Sequence, residues 1–141
     1  MTSSQTPQVT VNRAGATLQS KQGLQNIDGV SAELSGSQAL WLGIIRIPPG
    51  GQANAHMHKD HETAIYVLQG EAGMWYGDEL QEHVTLSAGD FLYIPAGVPH
   101  VPYNLSQTEE IIGVAARTDP NEQESVVLMP ELERFLSQTR Q

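Results

Sequence analysis

The sequence predicts an all-β protein, a sandwich or barrel of antiparallel strands followed by one short C-terminal helix. Three observations carry that prediction. From Ala39 onward, short apolar runs recur with Gly, Pro and Asp turn signals between them. No long stretch of helical periodicity interrupts them. Only near the C-terminus does the period change, where Leu132, Phe135 and Leu136 fall on one helical face.

Taken in order, residues 1–8 are polar and are expected to fray. Residues 9–38 are rich in Ser, Gln and Gly and read only as short strands or an arm. ALWLGIIRIPPGG, starting at Ala39, is an apolar strand stopped by Pro48, Pro49, Gly50 and Gly51. HETAIYVLQG carries the β-branched and aromatic content of a second strand. EAGMWYGDELQEHVTL reads as a hairpin turning near Gly77 and Asp78. SAGDFLYIPAGVPH gives a turn, a short strand and a Pro/Gly turn, and EEIIGVAAR gives a further strand. In LMPELERFLSQTR, Pro130 suits the first helical position, with Glu131 and Glu133 in the first turn. That helix is expected to pack on the barrel or on a partner subunit. The expected organisation is an N-terminal arm or strands over 1–38, which a dimer could swap, a barrel over 39–118, and a C-terminal strand and short helix over 119–141. No internal repeat stands out, which argues against a solenoid.

With 141 residues, the chain is long enough for one domain with a real core. It is 39% apolar and 16% charged, a globular composition. The absence of cysteine excludes disulfides, thiolate metal sites and a cysteine nucleophile, and it fits a cytoplasmic protein. A net charge of −9 with seven Lys and Arg makes nucleic-acid binding and anionic-membrane binding unfavourable. The first residues lack the apolar segment of a signal peptide, and no run suits a membrane span.

Two segments carry chemistry. In the first, Gly50, His56, His58 and Gly70 bracket HMHKDHETAIYVLQG. In the second, Gly89, Pro95, Gly97, His100 and Asn104 lie in order. Together they resemble the paired motifs of the cupin superfamily, and the likeness covers about residues 39–118. The resemblance implies a small single-domain cupin. Its fold would be an antiparallel double-stranded β-helix, or jelly-roll barrel, around a pocket holding one divalent metal per chain. One departure stands out. The family's glutamate position, counted from Gly70 or from His58, falls on Thr63, and Glu62 stands one residue out of register.

Side chains alternate along a strand, so His56 and His58 share a face. His100, from another strand, can supply a third imidazole. Three histidines with open positions suit Fe(II), Zn, Cu, Ni or Mn. Three ways of completing the site stay open. Thr63, Ile65 and Val67 face inward if pairing runs unbroken from Gly70, which turns Glu62 outward. A β-bulge near Thr63 would instead bring Glu62 in. His61 shares the parity of Thr63 and could lean in, or water could complete a three-histidine site.

Arg46 matches the parity of His56 if the intervening turn preserves it, and could then clamp a carboxylate. Tyr66 and Phe91 are further candidates for the pocket wall. Asn104 is expected to bond backbone near the second motif's turn, and His83 reads as a solvated strand residue. The resemblance implies a mononuclear metalloenzyme on a small organic substrate, dioxygenase-like and Fe(II)-dependent. Sugar or keto-acid isomerase or lyase chemistry, or ligand binding without catalysis, are the alternatives. It also implies a homodimer.

Overall fold

A computed structural model of the chain describes residues 6–13, 16–121, 123 and 125–139. Among these, eleven strands form two antiparallel sheets. The strands are β1 (Ala16–Gln19), β2 (Gln25–Val30), β3 (Trp41–Ile47), β4 (His56–His58), β5 (Thr63–Gln69) and β6 (Glu71–Tyr76), then β7 (Glu82–Ser87), β8 (Phe91–Ile94), β9 (His100–Asn104), β10 (Ile111–Arg117) and β11 (Val126–Leu128). One sheet runs β1-β2-β3-β10-β5-β8 and the other β11-β4-β9-β6-β7. This is the antiparallel two-sheet barrel that the recurring short strands predict, in the jelly-roll form that the family resemblance implies.

Period-two alternation sets which side chains meet between the sheets. On β10, Ile111, Gly113, Ala115 and Arg117 are buried while their neighbours are half-buried. On β3, Trp41, Gly43 and Ile47 point in, and Leu42 and Arg46 are exposed. One apolar cluster joins Leu24, Ile47, Ala53, Ala72 and Ile111. A second joins Ala55, Leu80, Val101, Leu132 and Leu136.

The segment that the sequence left ill-defined folds onto the same sheet. β1 pairs with β2, and β2 with β3 of the same chain. A short helix, α1 (Ala32–Ser35), follows. Ser31 caps it by accepting from the Leu34 amide at 3.0 Å, and Gly36 ends it in the left-handed region at φ +72°.

The tail forms a 3-10 turn (Pro130–Glu133) and α2 (Arg134–Thr139). Leu132 and Leu136 bury against the barrel of this chain, as their stripe predicts. Met129 donates to the Ala55 carbonyl at 2.8 Å, and the Ala55 amide donates to Glu133 Oε1 at 3.1 Å. β11 then pairs along the whole of β4, Val126 opposite His58 and Leu128 opposite His56. The C-terminus therefore braces the strand that carries two of the three histidines. Among the described residues, no helix is long and apolar enough to cross a membrane.

Candidate metal centre

β4 and β9 are neighbours, and His56 pairs directly across from His100. Two residues on, His58 returns to the same face of β4. All three side chains are 2–3% exposed, and their ligand nitrogens lie within 4.8 Å of one another. The ring centroids are 4.3 Å (His56–His100), 5.4 Å (His56–His58) and 5.9 Å (His58–His100) apart. The approach to His100 is set by the turn after β8. There Gly97 adopts φ +78°, a conformation that suits glycine, and its amide donates to the His58 carbonyl at 2.9 Å.

The hydrogen bonds fix the tautomers. His56 Nδ1 donates to the Asn54 carbonyl at 2.7 Å, and His100 Nδ1 donates to the Val98 carbonyl at 2.9 Å. A carbonyl only accepts, so each Nδ1 carries the proton and each Nε2 keeps its lone pair. His58 Nδ1 lies 3.4 Å from Ser125 Oγ, and its Nε2 is buried with no hydrogen-bond partner. Outer partners of this kind orient imidazole ligands at metal sites.

The rings are neutral. Burial, then the charge of His100, holds His56 well below the ordinary histidine value. Burial, then Arg117, lowers His58 to about 2. Burial lowers His100 to about 4, against the opposing hydrogen bond to Val98. Three neutral imidazoles, one with an orphaned buried Nε2, fit a divalent metal and have no other evident use for that geometry.

The structure places the other candidates elsewhere. Glu62 is exposed, and its carboxylate accepts from Tyr93 Oη at 2.6 Å on the outer surface. The bulge that would have turned it inward is not near Thr63. β5 pairs without interruption from Thr63 to Val67, and the register shifts only where Gly113 and Ile112 oppose Val67 and Gln69. His61 is half-buried beside Asp119, with Nδ1 3.5 Å from Oδ2, and stands outside the three-histidine group.

Arg46 points outward, 3.5 Å from Glu110. The parity argument failed because the Pro48–Gly51 turn carries the chain from one sheet to the other. Tyr66 and Phe91 also face out, their rings 4.6 Å apart on the outer side of the six-stranded sheet, with Phe91 80% exposed. The inward residues there are Ile65, Val67, Leu92 and Ile94. Asn104 bonds backbone as expected, but at the far end of β9 rather than near the turn that precedes His100. Its amide donates to the carbonyls of Ile47, Pro48 and Glu109, and its Oδ1 accepts from Ser106 N, which ties two loops together. His83 is exposed, 2.8 Å from Tyr103 Oη.

Sequence reasoning missed Arg117. It is 4% exposed, its Nε donates to Thr63 Oγ1 at 3.2 Å, and its guanidinium sits 5.0 Å from the Trp41 ring centroid. The signal was present in the alternation Ile111, Gly113, Ala115, Arg117. A cavity of about 60 Å³ lies between the sheets. His56 and His100 line it from one sheet and Arg117 from the other, with Ile45, Ile65, Val67 and Met74 among its apolar walls. Gln22 and Asn26, from the N-terminal segment, also reach it.

Comparison with known proteins agrees with this architecture. The cupin-domain family model matches residues 43–112, a span that contains all three histidines. Quercetin 2,3-dioxygenase of Bacillus subtilis is 38% identical over 69 residues, 48% of this chain and 19% of that protein. A probable oxalate decarboxylase of Arthroderma benhamiae is 29% identical over 111 residues, 77% of this chain and 26% of that protein. This chain thus spans about a fifth to a quarter of the length of these curated relatives.

Among solved structures, the oxalate decarboxylase of Lactobacillus farciminis superposes with a TM-score of 0.68 at 20% identity, covering 88% of this chain and 35% of that one. An uncharacterized double-stranded β-helix protein of Klebsiella pneumoniae gives a TM-score of 0.63 at 20% identity, covering 77% and 86%. With the two-sheet barrel and both motifs in place, the chain is a small cupin-domain protein. Its three-histidine cluster suits a divalent metal.

Proposed function

We propose that this protein is a mononuclear metalloenzyme that acts on a small anionic organic molecule in the manner of a dioxygenase. The observation that carries the reading is the three-histidine cluster at the edge of a cavity with no proton-transfer base besides the histidines themselves. Among the described residues lining that cavity there is no Asp, Glu, Tyr or Lys. An isomerase moving a proton would need such a group within hydrogen-bond reach. Glu62 and the strand tyrosines Tyr66 and Tyr93 do not line it.

His56, His58 and His100 would hold the metal through Nε2, with Nδ1 bonds keeping the rings in place. Fe(II), the metal favoured here, would supply redox chemistry with O₂. The remaining work falls to the chain. Arg117 presents a guanidinium that can orient a carboxylate or enolate. The apolar walls exclude bulk water and strengthen that interaction. The cavity, about 60 Å³, limits the substrate to a small molecule. The likeness to quercetin 2,3-dioxygenase over 69 residues supports oxygenation. The likeness to a probable oxalate decarboxylase supports a second reading, carbon–carbon bond cleavage of a small acid, for which Arg117 is equally suited.

Oxygen uptake separates them. Iron-loaded protein, screened with small carboxylates, diketones and phenols, should consume O₂ with at least one class. Anaerobic Fe(II) protein should give a ferrous–nitrosyl signal with nitric oxide. Turnover without O₂ consumption, or equal turnover with Zn and Fe, would reject oxygenation in favour of the lyase reading.

A further inference from the structure

We infer that Asn26 is a substrate-positioning residue, forming the second polar pole of the cavity opposite the metal and Arg117; this rests on the small-substrate reading above. Asn26 lies in β2, opposite Ile45 of β3 and Leu18 of β1. Its side chain is 1% exposed and lines the cavity. Neither Nδ2 nor Oδ1 has a hydrogen-bond partner. A buried amide with both ends unsatisfied is destabilising, and folded proteins hold few of them. Leucine has similar volume and would suit the surrounding Leu24, Ile45, Ile47 and Met74 without that cost. The amide is therefore poised to meet something that enters the cavity.

The register places this pole relative to the other one. Ile45, the partner of Asn26, pairs with Gly113 of β10, and Arg117 is four residues farther along that strand. Four residues of strand span ~13 Å, which the long arginine side chain partly bridges. Between the two poles the walls are apolar. A ligand matching this layout has an anionic head at Arg117 and the histidines. It continues through a short apolar stem to a hydroxyl or carbonyl that Asn26 can both donate to and accept from. The class is a short-chain carboxylate bearing a terminal hydroxyl or oxo group.

The test uses two probes of equal size, 4-hydroxybutyrate and pentanoate, which differ by a hydroxyl in place of a methyl. Their binding to zinc-loaded wild type and to N26L would be measured by calorimetry. Zinc content and the thermal midpoint of each protein would be measured alongside. Wild type is expected to favour the hydroxyl probe at least tenfold, because a site built to pair a hydroxyl rejects its analogue. N26L should lose or reverse that preference, keep its zinc, and melt at or above the wild-type temperature.

Equal affinity of wild type for the two probes, binding of neither, or an unchanged preference in N26L would overturn the role. So would a lower midpoint for N26L, which would make Asn26 a structural residue. The wild-type comparison needs no variant to fold. Failure of the metal reading would look different. Zinc would be absent, while a preference between the probes could still be read on metal-free protein.

Discussion

Acidifying the metal-free protein should destabilise it through the three buried histidines. In the unfolded chain a histidine titrates near 6.5, while His100 in the folded protein titrates at about 4 and His58 at about 2. Above the unfolded value neither state binds these protons, and full stability is present. As pH falls below about 6.5 the unfolded chain takes up protons that the folded one refuses, so stability is progressively lost. For His100 the loss is complete once pH passes its folded value.

At pH 5 the linkage relation gives ~2 kcal/mol for His100 and ~2 kcal/mol for His58. His56 adds in the same direction. A loss of ~4 kcal/mol is a large part of a typical 5–15 kcal/mol stability. With a urea slope of ~2 kcal/mol/M, the midpoint should fall by about 2 M. The assay is urea unfolding followed by circular dichroism, in chelator, at pH 7.5 and pH 5. Carboxylates titrate mostly below this window. H100Q should lose ~2 kcal/mol less than wild type over the same interval. Equal wild-type midpoints at the two pH values, or an undiminished loss in H100Q, would refute the reasoning.

Metal should reverse this fragility. Zinc at about a hundred times its dissociation constant should stabilise by ~2.7 kcal/mol. For 141 residues that raises the thermal midpoint by about 9 °C, and no shift at neutral pH would contradict metal binding. L136A should cost about 2–4 kcal/mol by emptying the space beside Ala55, Leu80 and Val101. It should also weaken zinc binding, because the tail braces β4; a change within 0.5 kcal/mol of wild type would show that the helix bears no load. The homodimer expected from the sequence has a suitable face in exposed Leu42, Phe91 and Tyr93 on the six-stranded sheet. F91D should then sediment as a monomer where wild type is a dimer, and a monomeric wild type would refute the expectation.

The barrel from Ala39 onward was legible because apolar runs recur there and β3, β5, β6 and β8 each stop at a Gly or Pro. β1 and β2 were not. QNIDGV has one apolar residue on each face, since its inward positions carry Asn26, which meets the cavity, and Asp28, which accepts from Trp41 Nε1. The helix α1 was not read, because although Ser31 and Gly36 flank it, it is only one turn long and has no apolar stripe. The histidines followed from spacing and parity, but parity left the place of Glu62 open between an outward strand position and a bulge that would bring it in, and only the unbroken pairing of β5 decides it. Arg46 misled because parity does not survive a crossover between sheets. Arg117 was hidden because an arginine at a strand's end reads as a surface residue, although counting by twos from Ile111 places it inside. Asn26 carries no signal in sequence, since its importance lies in the partners that it lacks.

The most direct test of the account is the metal content of untagged protein prepared without chelator. It would be measured by plasma mass spectrometry beside E62Q, H58A and H100Q. Near one divalent metal per chain is expected in wild type and in E62Q, with little or none in the two histidine variants. A wild type that stays empty after reloading with excess iron or zinc, or an E62Q that loses its metal, would contradict a centre built from His56, His58 and His100.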